Sequence, residues 1–142
     1  MPCREHVAQL RHRQEELTWL NAQVLLISFG TNAWARAWLR ETGAPFPLLI
    51  DPQRRVYRAY GLKRSILRVW SLKVLCHYLR LMRAGRRLRP IQGDPHQLGG
   101  DVIVDTYAVV RLAHQSSDPT DRPPVETLLA VLREIEKERK RS

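Results

Sequence analysis

QVLLISFG, residues 23–30, sets four consecutive apolar side chains, Val24 to Ile27, between polar and turn-forming neighbours. A run this short and unbroken reads as a strand buried on both faces, the pattern of a parallel sheet covered by helices. Its flanks agree. Upstream, Val7, Leu10, Leu17 and Leu20 recur at spacings of 3, 7 and 3, which predicts a helix over 3–20 closed by Asn21. Downstream, Gly30, Thr31 and Asn32 turn the chain into AWARAWLRETG (33–43). That is a second helix, with Trp34 and Trp38 one turn apart and Gly43 as its stop.

Further out the alternation continues. PFPLLIDP (45–52) is a second short strand bracketed by prolines, which cannot donate to a ladder and so mark its ends. RRVYRAYGL (54–62) suggests a short helix ended by Gly61, and a longer basic helix is expected from about Ser65 to Ala84. Six glycines and prolines between Gly85 and Gly100 mark a loop. DVIVD and AVVRLAH then form an antiparallel hairpin turning at Thr106 and Tyr107. After a loop over 118–124, with Asp121 as the expected N-cap, Val125, Leu128, Leu132 and Ile135 line one face of a last helix, and KERKRS frays. The order predicts a single α/β domain over 1–142, a sandwich with a mixed sheet, carrying a helical insertion at about 64–92.

Composition bounds the function classes. The chain has 142 residues and a net charge of +10, of which residues 61–100 supply +8, with 9 basic and 1 acidic side chains. No stretch reaches the roughly 20 apolar residues of a membrane span. The opening residues lack the apolar run of a secretory signal, and two cysteines, Cys3 and Cys76, make no disulfide framework, so the expected compartment is the reducing cytosol. The five histidines and two cysteines show no metal-ligand spacing, and neither metal nor cofactor is expected.

Four stretches occur together and in order: CREHVAQL (3–10), PLLIDPQRRVYRAYGLKRS (47–65), QGDPHQLGGDVIVD (92–105) and DPTDRPPVETLLAVL (118–132). In combination they resemble the peroxiredoxin-like branch of the AhpC/TSA antioxidant family, whose fold is thioredoxin-like. The resemblance implies a strand in front of the first helix, central to the sheet, that is missing here. It also implies a Cys-x-x-Cys turn of which Cys3 is the second cysteine, with Met1 and Pro2 as its middle residues. Cys3 is then the expected redox centre, with Arg4 adding positive charge and Gly99 and Gly100 letting a substrate approach the sulfur. A thiol at a helix N-terminus sits among unpaired N–H groups and the positive end of the dipole, which favour the reactive thiolate.

Two chemistries stay open on this reading, peroxide reduction and thiol–disulfide exchange, each with a thiol reductant as partner. The contrasting reading is a non-catalytic thioredoxin-like binding module with a vestigial Cys3. His6 is expected to be a half-exposed helix residue, Cys76 a buried packing residue, and Trp34 and Trp38 core. Residues 63–89 interleave basic and apolar side chains; the first reading is an insertion that packs its apolar face and solvates its charges, ahead of a lid, a membrane surface or a protein contact, with nucleic acid, for which no groove-reading motif is present, last. Without its central strand the chain is expected to be poorly stable or to form a homodimer.

Overall fold

The computed structural model describes residues 2–62, 72–85 and 97–142. Its elements are α1 (Pro2–His12), α2 (Gln14–Trp19), β1 (Leu26–Ser28), α3 (Asn32–Thr42), β2 (Leu48–Ile50), α4 (Arg55–Ala59), α5 (Leu72–Arg83), β3 (Gly100–Val104), β4 (Val110–Gln115) and α6 (Val125–Arg141). About half of the expected insertion, 64–71 and 86–92, lies outside the described residues; the described part is α5 and the two residues after it.

The alternation holds, with corrections at element ends. The first helix breaks at Arg13 into α1 and α2, and Asn21 leaves α2 at φ 53°. Arg13 is occupied across the break, ion-paired with Glu16 at 2.8 Å and with Glu126 of α6 at 3.0 Å. Arg133 on α6 bonds the same two carboxylates, so a four-residue network ties α2 to α6. Thr31 caps α3 by accepting from the Trp34 N–H at 3.2 Å, and Gly43 ends it in the left-handed conformation at φ 59°. The helix α6 starts at Val125 after Pro124, not from an Asp121 cap. It runs on through the tail expected to fray. There Lys137–Glu134 (2.7 Å), Arg139–Glu136 (2.9 Å) and Lys140–Glu136 (3.5 Å) stitch successive turns.

β1 and β2 pair in parallel, Leu26 with Leu48 and Ser28 with Ile50. β3 and β4 pair antiparallel from Gly100–Gln115 to Val104–Val110, with a bulge between Ile103 and Val104. The hairpin connection is longer than a Thr106–Tyr107 turn: Asp105 holds it, its Oδ1 accepting from the N–H groups of Tyr107 and Val109 at 2.9 and 3.0 Å. β1 is shorter than the apolar run that announces it, and the run is not buried on both faces, since Leu25 is half exposed, as is Leu49 of the neighbouring β2. Among the described residues the two pairs of strands are not hydrogen-bonded to each other. A cleft of about 1310 Å³ is lined by both, with walls from α1, α3 and α6.

The core lies beneath this cleft. Val7 and Leu10 of α1, Leu17 and Leu20 at α2, Trp38 of α3, Phe46, and Val125, Leu128 and Leu129 of α6 form one buried cluster. Trp34 packs against its edge, its ring 6.3 Å from that of Trp38, as a core role requires. Burying one such aliphatic side chain contributes roughly 1.5–3 kcal/mol. This packing fixes α1 against α6 and so fixes where the first turn of α1 points.

Candidate thiol site

Cys3 lies in that first turn, exposed and free, on the wall of the cleft. Its partner is Arg122, whose Nη2 donates to Sγ at 3.1 Å. The same guanidinium reaches Asp101 Oδ2 through Nη1 at 3.3 Å, and Asp101 Oδ1 lies 2.9 Å from His6 Nε2. The result is a chain, Cys3–Arg122–Asp101–His6, assembled from three places: α1, the start of β3, and the loop before α6.

Local structure explains each position. His6 follows Cys3 by three residues, so both lie on one face of α1. It is buried, not half exposed as the sequence suggests, with its Nε2 against Asp101 near the start of β3. Asp101 is the second residue of β3, after Gly99 and Gly100, a stretch anchored by buried Leu98 and by a bond from the Ser116 N–H to the Gly99 carbonyl at 3.0 Å, so no turn forms at these glycines. Arg122 is presented by a loop rich in its own hydrogen bonds. Asp118 Oδ1 accepts from the Thr120 N–H at 2.8 Å, Ser116 Oγ donates to the Asp121 carbonyl at 2.7 Å, and Asp121 Oδ1 meets His114 Nε2 at 3.1 Å. Pro123 and Pro124 then stiffen the entry to α6.

The electrostatics favour an anion at the end of the chain. Burial works against the charge of Arg122, but the negative charges of Cys3 and Asp101 outweigh it and raise the guanidinium pKa above its ordinary value. Burial alone would raise the Asp101 carboxyl; His6 and Arg122 overcome this and hold it below the usual carboxylate range. A guanidinium that stays charged and half-wrapped in protein is a suitable partner for a thiolate, or for oxygen acquiring charge beside it.

The glycines have separate jobs. A Cβ on Gly99 would stand 2.6 Å from Arg122 Nη2 and 3.1 Å from Nη1, so only a hydrogen there lets the guanidinium lie across to Cys3. A Cβ on Gly100 would meet the His114 carbonyl oxygen at 2.5 Å, which makes that glycine a requirement of the hairpin. Both also line the cleft. Arg4 shares the cleft wall but spends its guanidinium on Glu41 of α3, at 2.8 Å, rather than on the sulfur. Cys76 is exposed on α5 and not buried as a packing residue would be.

Tyr57 closes the other side. Asp51 Oδ2 accepts from the Val56 N–H at 2.8 Å and so nucleates α4, which aims Tyr57 at the cleft. The phenol donates to the Ile27 carbonyl at 3.0 Å and packs edge-on to Phe29 at 5.5 Å. Burial, with the nearby charge of Cys3 adding to it, pushes its pKa up to about 12. Sequence reasoning singled out Cys3, Arg4, Gly99 and Gly100 but not Arg122, Asp101 or Tyr57. The only available signal was that all three lie in the stretches that carry the family resemblance.

Small parallel and antiparallel sheets with flanking helices, and a helix-borne thiol beside a guanidinium, define a thiol-bearing α/β protein consistent with a thioredoxin-like fold. The chain belongs to the AhpC/TSA antioxidant enzyme family, whose profile matches residues 9–118. It is similar to peroxiredoxin-like 2C of Takifugu rubripes, 27% identical over 140 residues, covering 89% of this chain and 62% of that protein. The mouse and human proteins of the same name are each 24% identical over 142 residues, with 92% and 62% covered. The chain thus spans about 62% of the length of these relatives. The family match takes in Tyr57, Gly99, Gly100 and Asp101 but not Cys3, His6 or Arg122. Among the described residues no helix is long and apolar enough to cross a membrane.

Proposed function

We propose that this chain is a thiol-dependent antioxidant-type oxidoreductase domain with Cys3 as its redox-active sulfur and Arg122 as the residue that holds and activates it. The observation that carries this is the 3.1 Å bond from the Arg122 guanidinium to an exposed Cys3 Sγ at a helix start on an open cleft. Family membership supports the thiol-dependent antioxidant-type reading; the assignment to Cys3 and Arg122, which lie outside the matched residues 9–118, rests on the geometry.

With a peroxide, the Cys3 thiolate attacks one oxygen of ROOH. An S–O bond forms and the O–O bond breaks. Sulfur is oxidised to a sulfenic acid, and the alkoxide leaves and takes a proton from water to give ROH. A reductant thiol then attacks the sulfenic sulfur, forming a disulfide and releasing water, and a second thiol frees Cys3 as thiol. With a disulfide as substrate, the same thiolate attacks one sulfur, the S–S bond of the substrate breaks as the mixed disulfide forms, and the other sulfur leaves as a thiolate that is protonated by water. In both cases Arg122 stabilises negative charge on the attacking sulfur and on the group that departs beside it. Asp101 and His6 act through Arg122 as positioning residues.

The test uses a Cys76→Ser background, so that Cys3 is the single thiol. After a stoichiometric pulse of hydrogen peroxide, dimedone trapping and mass spectrometry should find the adduct on Cys3. Mixing with a chromogenic aryl disulfide should release one thiolate per chain. If Cys3 reacts with both no faster than free cysteine does, the chain is a binding module and the proposal is wrong.

A further inference from the structure

Outside the thiol site, α5 carries the most unusual surface of the described residues. Leu75, Leu79 and Met82 recur at i, i+4 and i+7 and are 55%, 46% and 49% exposed, so among the described residues one helix face presents an exposed apolar stripe. Arg83 and, further round, Arg80, both exposed, lie to one side of it, and α5 contains no acidic residue. The helix sits within a segment, residues 61–100, holding 9 basic and 1 acidic side chains while the remainder of the chain is nearly balanced. Twelve residues make a helix of roughly 18 Å, too short to span a bilayer but enough to lie along its surface.

We propose that α5 is a docking surface for an anionic lipid membrane, with Leu75, Leu79 and Met82 entering the boundary between headgroups and acyl chains and Arg80 and Arg83 meeting the phosphates. Charge complementarity selects this occupant. An apolar stripe alone would suit a protein, and positive charge alone would suit any polyanion, but together in a helix of this length they match a surface that is negative outside and apolar beneath. Leu75 also lines the cleft that holds Cys3, so docking would bring the mouth of that cleft to the lipid surface. The proposal is independent of the thiol chemistry and can fail without it.

The experiment is co-sedimentation of the full chain with phosphatidylcholine vesicles, with and without about 30% phosphatidylglycerol. The chain should bind the anionic vesicles and not the neutral ones. Binding should weaken about tenfold or more at high salt, as screening requires. Leu79→Glu, and separately Arg80→Glu with Arg83→Glu, should each reduce it at least about tenfold with circular dichroism unchanged, because these side chains are exposed. Equal binding to neutral vesicles, or full binding by either variant, overturns the proposal. So does a dimer in size-exclusion chromatography that Leu79→Glu dissolves, since a second copy would then own this face. Binding to a single-stranded oligonucleotide as tight as to vesicles, and indifferent to Leu79→Glu, overturns it as well.

Discussion

Arg122 reaches Cys3 across 119 positions of sequence, and that separation is why the resemblance could name the sulfur and not its partner. A helix-start cysteine is legible because its chemistry is local. An arginine in a loop before the last helix has no local signature, and Asp101 looks like an ordinary strand residue. His6 misleads for the same reason: its burial follows from what packs on α1. Gly99 and Gly100 separate site from scaffold. Gly99→Ala should displace the Arg122 side chain, slowing Cys3 oxidation about tenfold or more while shifting the thermal midpoint little, since only a flexible tip must move. Gly100→Ala drives a Cβ into backbone and should cost about 1–3 kcal/mol of stability. Parallel melting curves and oxidation rates distinguish the two. Asp101 adds a pH dependence. Its folded pKa lies below the unfolded value, so its stabilising contribution is present above the ordinary carboxylate range and is lost as pH falls through the folded value. The gap in thermal midpoint between the natural chain and Asp101→Asn should therefore be widest near neutrality and narrow below about pH 4.

Helices and strands were legible in type and order, less so at their ends. Val24–Ile27 reads as strand because a short apolar run bounded by polar and turn-forming residues fits a buried strand better than a helix of useful length, yet β1 forms only where β2 is there to pair with it. The parallel pairing and the antiparallel hairpin both follow from pattern. The extension of α6 does not, because its last turns are held by ion pairs rather than by apolar spacing. The short α4 is positioned by one carboxylate, Asp51, and delivers Tyr57 to the cleft. That phenol carries the prediction at this scale. With 4 tyrosines in the chain, absorbance titration at alkaline pH should show one group ionising near 12, absent in Tyr57→Phe. The raised folded pKa means that the stability due to this proton is complete below the unfolded value near 10 and declines as pH rises through it towards 12.

At the level of the whole molecule, two small sheets face one cleft, and the described strands β1 and β3 each have a partner on one side only. Strand edges left without a ladder are costly unless something else meets them. The chain as given should therefore unfold at modest denaturant with a shallow transition, or sediment as a dimer. A monomer with a steep, high-temperature melt would count against this. The expectation of a further strand in front of the first helix rested on resemblance alone; hydropathy carries no signal for it. The basic segment was legible as charge, but which side chains of α5 stand free required coordinates. The account turns on the fold making one sulfur more reactive than an ordinary thiol, and the most direct test is the rate of sulfenic acid formation at Cys3 with hydrogen peroxide in the Cys76→Ser chain, with and without Arg122→Met. The natural arginine should give a rate on the order of a hundredfold above the variant, with Arg122→Lys between them. Equal rates in all three would contradict the account.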